Sequence, residues 1–302
     1  MHVALTGATG FIGSHLLTAL QDNGHHVTAL VRDDARAEIV ASRGATPAVV
    51  DLYDQAAVAS VLGNADAAIH TASPGDAASA DLDSAVADAA IDAFAGTGKA
   101  YLHTSGAWVY GDGSSITDES RLNAPAMVAW REPIERRVLA APGVRAAVIV
   151  SGVAYGDGGG GIPGLLLGSP RDDAGNLIML GSGQQHWATV HVADLADAFR
   201  RVLEDDSARG SYLISDGLNP TVAELTEAAA VAAGAPGAVP GSDDEARARL
   251  GDYFAEVLLL DQTAVADRAK AELGWSPARP GLVEEFRQGS YRSDAAVPGE
   301  AR

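Results

Sequence analysis

Residues 1–32 read MHVALTGATGFIGSHLLTALQDNGHHVTALVR. Residues 3–5 form a short apolar run of strand character, and Thr6-Gly7-Ala8-Thr9-Gly10-Phe11-Ile12-Gly13 then interrupts it with glycines spaced G-x-x-G-x-x-G. A helical pattern carrying Leu16, Leu17 and Leu20 follows, Gly24 is placed to end it, and residues 27–31 supply a second strand. Gly7 and Gly10 allow a sharp turn and a close approach to a pyrophosphate, Gly13 lets the helix pack on the strand, and Thr9, Gly10, Phe11 and Ile12 bring free N–H groups to the anion. Glycines also punctuate ordinary turns. Here strand, turn and helix fall within about 30 residues, the context that a dinucleotide-binding fingerprint requires.

The segment TGATGFIGSHL resembles the opening of the extended and atypical short-chain dehydrogenase/reductase superfamily, which contains sugar-nucleotide epimerases, dihydroflavonol reductase-like enzymes and NAD(P)-binding regulators. The resemblance implies an α/β, doubly wound parallel sheet of Rossmann type with a smaller, discontinuous C-terminal substrate region. Residues 1–155 are expected to form the dinucleotide-binding domain, with 188–215 returning to it. Residues 156–187 and 216–292 are expected to bind substrate, and 293–302 to form a disordered tail.

Composition narrows the remaining classes. The chain has 302 residues, 47% of them apolar and none of them cysteine, with a formal charge of −19. Disulfides, thiolate catalysis and cysteine-ligated metal are excluded, and no metal site is expected. The acidic balance opposes nucleic-acid and anionic-membrane partners and aids solubility. There is no long uninterrupted apolar run, and the first strand starts at the second residue, so a cytoplasmic protein without a signal peptide is expected. The expected partner is a small-molecule substrate, met by a monomer or homodimer.

Beyond the second strand stand Arg32, Asp33, Asp34 and Arg36. An acidic residue at this strand end suits a ribose 2′-hydroxyl, whereas a guanidinium suits a 2′-phosphate. Arg32 favours NADP, and Asp33 beside it leaves NAD possible. Asp51 and Leu52 follow a short third strand. The resemblance implies that they border the adenine, and Asp51 is also a candidate N-cap for a helix from Gln55. Residues 67–69 read as a fourth strand ending in His70-Thr71-Ala72-Ser73-Pro74, where small side chains leave room for the cofactor's ribose and pyrophosphate; His70 reads as a structural residue.

An alanine-rich helix over 81–95 and a fifth strand over 99–105 lead to Gly106-Ala107-Trp108-Val109-Tyr110-Gly111, which resembles the superfamily's Ser-Ser-x-x-Val-Tyr-Gly segment. Here the pattern departs. The polarising serine or threonine position holds Gly106, with Ser105 one place earlier. Aligned on Glu135, the superfamily's helical Tyr-x-x-x-Lys pair is replaced by Met127 and Arg131. Arg131 keeps a permanent charge and donors for a nicotinamide ribose, while Met127 has no proton to give at any pH. Any proton transfer must use another group: Ser105, Tyr110, Tyr155, His186 or an ordered water. Tyr110 also reads as structural, and Trp130 as an apolar wall.

A sixth strand over 145–150 precedes Ser151-Gly152-Val153-Ala154-Tyr155-Gly156, which resembles the superfamily's turn at the nicotinamide carboxamide and implies a role there for the backbone of Val153. Residues 157–161, Asp-Gly-Gly-Gly-Gly, read either as a mobile lid or as a surface insertion. A short strand over 177–180 follows. His186 and Trp187 stand where related enzymes meet substrate, and His191 and Asp194 read as the start of a helix to Leu203. No Gly-x-Ser-x-Gly elbow supports a hydrolase built on Ser105, His191 and Asp194. Thr221 is expected to cap a helix over 222–233, with further helices over 243–250 and 263–273. Leu273-Gly274-Trp275-Ser276-Pro277 resembles the family's closing motif.

Three functions remain open. The first is an atypical NADP(H)-dependent oxidoreductase acting on a small carbonyl, imine or activated alkene with a non-standard proton donor. The others are a non-catalytic NADP(H)-binding sensor or scaffold and a nucleotide-sugar epimerase or dehydratase, the last weakened by the missing tyrosine.

Overall fold

A computed structural model describes residues 1–292. Its centre is a parallel sheet of seven strands: β1 (His2–Thr6), β2 (His26–Val31), β3 (Thr46–Val49), β4 (Ala67–His70), β5 (Ala100–Gly106), β6 (Arg145–Ser151) and β7 (Gly210–Ile214). Their spatial order is β3-β2-β1-β4-β5-β6-β7. The chain leaves β1 toward one edge, returns, and continues from β4 toward the other, so the order reverses between β1 and β4. Thr6 pairs with His70 in the register across that gap, which places the glycine turn beside the loop after β4.

Near-continuous apolar strands require cover on both faces. On one face α1 (Phe11–Asp22) and α7 (Val192–Glu204) bury Leu16, Leu17, Leu20, Phe199 and Val202 together with Trp275. On the other, α3 (Gln55–Gly63), α4 (Ser79–Phe94) and α5 (Arg131–Leu139) bury Val58, Leu62, Phe94, Ile134 and Val138 against Tyr101. α2 (Asp34–Ser42) follows β2 and contributes Val40 to the first core.

A smaller core gathers Tyr155, Leu166, Trp187, Leu225 and Phe286 between α6 (Gly161–Leu167), α8 (Val222–Ala232) and helices farther along the chain. The expected cap of α8 is present as a full capping box between Thr221 and Glu224. The Leu-Gly-Trp segment is fastened to α7: Trp275 Nε1 donates to the Asp194 carbonyl at 2.9 Å, and the Asp194 carboxylate accepts from the N–H groups of Ala278 and Arg279.

Two local expectations are corrected. The predicted helix over 263–273 is a strand, Gln262–Ala264, paired with Gly113–Ile116, followed by a shorter helix, Asp267–Leu273. Buried Gln262 directs its amide to the carbonyls of Ala107 and Gly111, a tertiary requirement that outweighs local helical pattern. The cap of α3 is Asp54, whose Oδ1 accepts from Ala57 N, whereas Asp51 closes a turn by accepting from Tyr53 N. The expected tail over 293–302 lies outside the described residues. Among the described residues no helix is long and apolar enough to cross a membrane.

Candidate dinucleotide and active site

The glycine turn is shaped for an anion. Gly7 adopts φ +75°, and a Cβ there would lie 2.6 Å from Ala72 N. At Gly13 a Cβ would lie 2.1 Å from the Gly7 carbonyl oxygen. Neither position admits a side chain. Gly10 N–H donates to the Gly7 carbonyl at 2.8 Å, and Gly10 caps α1 without a side-chain hydrogen bond. The N–H groups at the start of α1 are therefore left for a ligand, beside partly accessible Thr9, Phe11 and Ile12. The loop after β4 is fixed to β1: Thr71 Oγ1 donates to the Thr6 carbonyl at 2.7 Å, and Thr6 Oγ1 accepts from Thr71 N and Ala72 N. Ser73, at the exposed end of this loop, shares a hydrogen bond with Ser79.

At the end of β2, Arg32 carries a side chain 71% exposed. Asp33 is not a free acceptor. Its Oδ1 takes the Arg36 N–H at 2.8 Å, and its Oδ2 takes Arg36 Nη1 at 2.6 Å and Arg32 Nε at 3.3 Å. The Arg36 backbone N–H, aided by the two guanidinium groups, holds the Asp33 carboxyl below the usual range. Asp51 is exposed near the same edge, and Leu52 is half-buried against the core beneath α3.

The reaction end differs more from expectation. Ser105 is buried and donates from Oγ to Glu135 Oε1 at 2.5 Å, so the expected catalytic hydroxyl is engaged inside the protein. Burial raises the pKa of Glu135. Gly106 is half-buried, and a Cβ on it would meet nothing nearer than the Ser151 carbonyl oxygen at 3.9 Å. Met127 lies in a turn four residues ahead of Arg131, the first residue of α5, and not on the helix. Pro133 explains this start: it lacks an N–H for a helical bond to residue 129, and its ring would crowd that carbonyl. Trp130 Nε1 closes the turn on the Met127 carbonyl at 3.0 Å.

Arg131 opens α5 with its guanidinium 4.5 Å from the centre of the Trp130 ring. Its Nη1 donates to the Thr104 carbonyl at 3.2 Å and lies 3.7 Å from Asp83 Oδ2. Tyr110 ends a short turn, Ala107–Tyr110, packed among Val109, Ile116, Val150 and Leu213. Burial, with Asp118 and Glu135 nearby, raises its pKa and keeps the phenol protonated.

Other expected substrate residues turn inward. Tyr155 is fully buried, donating to the Pro280 carbonyl at 2.9 Å and approaching Asp216 Oδ2 at 3.1 Å. Trp187 is buried in the smaller core, with Nε1 donating to the Leu258 carbonyl at 3.0 Å. Both aromatic side chains are held in the smaller core, Tyr155 expected as a proton-transfer group or substrate contact and Trp187 as a substrate contact. His186 faces the surface and pairs with Asp261 at 2.8 Å. Val153 is half-buried and joins Thr189 in a small parallel pair, Val153–Tyr155 with Thr189–His191. His191 caps α7 by accepting from Ala193 N, as expected.

A buried polar cluster links the two ends of the site and was not read from the sequence. His70 Nδ1 faces Thr6 Oγ1 at 2.7 Å, and His70 Nε2 faces Asp83 Oδ1 at 3.2 Å. Tyr101 and His103 share a 3.0 Å hydrogen bond, and His103 Nε2 lies 3.7 Å from Asp83 Oδ2. Burial and the neighbouring His70 push His103 down to about 3, so its imidazole is neutral at physiological pH. Tyr101, whose pKa burial raises, then donates to His103 Nδ1 and leaves Nε2–H toward Asp83. Burial opposes ionisation of Asp83, but the His70 hydrogen bond and the charge of Arg131 prevail and hold it below its ordinary value. The available signal was periodic: Ser79, Leu82, Asp83, Val86, Ala87, Ala90 and Phe94 form the buried stripe of α4, with one carboxylate among apolar positions.

The glycine run after Tyr155 is also more constrained than a free insertion. Asp157 Oδ2 lies 2.8 Å from His15 Nε2, Gly158 N–H donates to Ser290 Oγ at 2.8 Å, and Tyr291 bonds to both Gly156 and Gly159.

Comparison with known proteins agrees with this architecture. Residues 3–215 match the sequence model described as the NAD dependent epimerase/dehydratase family. A Schizosaccharomyces pombe protein, C2A9.02, is 25% identical over 299 residues, covering 96% of this chain and 100% of that protein. A Streptomyces 3-diazoavenalumate denitrifying reductase is 27% identical over 312 residues, covering 93% of this chain and 97% of that protein. The crystal structure of human epimerase family protein SDR39U1 with NADPH superposes with a TM-score of 0.75 at 22% identity, covering 96% of this chain and 99% of that one.

Proposed function

Because the chain belongs to the NAD dependent epimerase/dehydratase family, we propose that it is an NADP(H)-dependent oxidoreductase acting on a small organic carbonyl, imine or activated alkene. The observation that carries the cofactor choice is the end of β2, where Arg32 keeps a side chain 71% exposed with only Nε on Asp33, and Asp33 is occupied by Arg36 and Arg32, which leaves the guanidinium accessible to a 2′-phosphate and the carboxylate engaged. The N–H groups of Thr9, Phe11, Ile12 and Gly13 would hold the diphosphate, since that of Gly10 is spent on the Gly7 carbonyl. Asp51 and Leu52 would border the adenine, Thr71, Ala72 and Ser73 would pass under the ribose and pyrophosphate, and the backbone of Val153 would meet the nicotinamide carboxamide. The relatives support the same reading through their own chemistry: one was crystallised with NADPH, and another is a named reductase.

A bound nicotinamide supplies or accepts hydride. The chain's own residues have the remaining tasks of orienting the substrate, excluding water and managing the proton. Gly106 leaves space beside β5 for substrate, and Met127 and Trp130 would supply apolar walls. Tyr110, four residues beyond this strand, is the candidate proton donor in place of the missing tyrosine, and its burial in the core means that substrate would have to reach it from the Gly106 side. Arg131, held by Asp83 and the Thr104 carbonyl, supplies fixed positive charge at the former lysine position.

The second reading, an NADP(H) sensor without turnover, is favoured by one observation: Ser105 and Arg131 both spend hydrogen bonds on internal partners. The nucleotide-sugar epimerase reading is weaker because Met127 cannot exchange a proton.

Cofactor titration followed by tryptophan fluorescence, with NADPH consumption measured across a carbonyl, imine and activated-alkene panel, tests these readings. Arg32→Ala is expected to weaken NADPH binding about 10-fold and to leave NADH binding within about 2-fold, as for loss of one charge-assisted contact. Equal losses overturn the phosphate assignment. Tight NADPH binding without turnover anywhere on the panel overturns the enzyme reading in favour of the sensor.

A further inference from the structure

We propose that Tyr291 is a positioning residue for the dinucleotide, pinning the strap of residues 156–160 against Phe11 and thereby slowing cofactor release. The inference rests on the dinucleotide reading above.

Its first support is the close approach of the strap to the cofactor turn. A Cβ on Gly159 would lie 2.4 Å from the Phe11 ring, so the strap backbone lies against that ring without space for a side chain. Phe11 is the first residue of α1 and belongs to the anion-binding turn. The strap and the turn therefore share an edge.

The second support is the way the strap is held from behind. The Tyr291 hydroxyl accepts the Gly156 N–H at 2.7 Å and donates to the Gly159 carbonyl at 2.5 Å, joining both ends of the bend through one oxygen. Ser290 Oγ accepts the Gly158 N–H at 2.8 Å. From the front, Asp157 meets His15 Nε2, while His15 Nδ1 lies 2.8 Å from the Phe11 carbonyl. The Tyr291 ring is anchored 4.9 Å from that of Phe286 in the smaller core. A segment so rich in glycine loses much conformational entropy on ordering. These bonds offset that cost and hold the segment across the turn, where a plain surface loop would need neither the cross-links nor a glycine beneath Phe11. Burial keeps the Tyr291 phenol protonated, so it remains a donor through the neutral range.

The test is NADPH dissociation from the full chain, followed by stopped-flow fluorescence with an excess of unlabelled competitor. Tyr291→Phe retains the ring and removes the hydroxyl. It is expected to raise the dissociation rate about 10-fold while changing the association rate less than about 2-fold, as for loss of one or two hydrogen bonds in the bound state. Amide exchange at Gly156 and Gly158 in the cofactor-free chain should accelerate in parallel, a readout independent of turnover. An unchanged dissociation rate overturns the proposal. If Tyr291→Phe does not fold, Ser290→Ala and Asp157→Asn decide: faster release in either supports the strap, and unchanged release in both overturns it. A wild-type chain that binds neither NADPH nor NADH overturns the dinucleotide reading and the strap proposal together. A chain that binds NADPH but ignores Tyr291 overturns the strap proposal alone.

Discussion

Gly13 shows what a single residue contributes to the site. Its Cα faces the Gly7 carbonyl so closely that a methyl group would sit 2.1 Å from the oxygen, far inside van der Waals contact. Gly13→Ala must push α1 away from β1 or distort the turn, and both displace the N–H groups meant for the diphosphate. Its NADPH affinity is expected to fall at least about 10-fold, with a stability loss of roughly 1–3 kcal/mol for the overpacked contact. Calorimetric titration and urea unfolding measure the two effects; wild-type affinity in the variant would remove the turn from the cofactor site. Gly106 is the opposite case. Its nearest potential neighbour at 3.9 Å leaves space for a side chain, so the absence of a serine there is not imposed by packing.

Between elements, the link from α4 to α5 depends on Asp83 and Arg131. Asp83 sits on the buried stripe of α4, and Arg131 opens α5 where Pro133 sets the helix start. Their charges lie 3.7 Å apart at Asp83 Oδ2, which His103 Nε2 also approaches, while His70 Nε2 meets Oδ1. Asp83→Asn leaves the guanidinium without its counter-ion in a largely enclosed position and is expected to cost about 2–3 kcal/mol. The same change made in an Arg131→Met background should cost measurably less. A double-mutant cycle in urea tests the coupling, and strictly additive losses would show that the two side chains do not depend on each other.

For the whole molecule, the buried histidine cluster makes stability depend on pH. His103 is packed against His70, Asp83 and Tyr101, with the positive charges of Arg131 and Arg137 also opposing its protonation. Its folded pKa of about 3 lies below the ordinary value of 6.5, so the folded state binds fewer protons than the unfolded state between those values. The contribution is fully present above pH 6.5 and is lost as pH falls toward 3. The slope from this residue approaches about 1.4 kcal/mol per pH unit at its steepest. Burial of Glu135 and Asp216 raises their pKa values and acts in the opposite sense, so the His103 contribution is read as a difference between wild type and variant from about pH 7 to 5.5, which spans the ordinary histidine value. Urea midpoints in that window should decline in the wild type and decline less in His103→Asn. Parallel slopes would exclude His103 as the source.

Local sequence was enough to determine the alternation of strands and helices, the glycine turn, the cap at Thr221 and the replacements at Gly106, Met127 and Arg131. Each is encoded by short-range chemistry: period, missing side chains, hydroxyl caps and residue type. Tertiary structure alone decided where polar side chains turn. Ser105 meets Glu135, Arg131 meets Asp83, and Tyr155 and Trp187 enter the smaller core because their partners lie on elements distant in the chain. A buried hydroxyl or charge must find a partner wherever packing supplies one. The strap follows the same rule: four glycines in sequence specify only freedom, and Tyr291, arriving from the far end of the chain, converts that freedom into a fixed contact with Phe11.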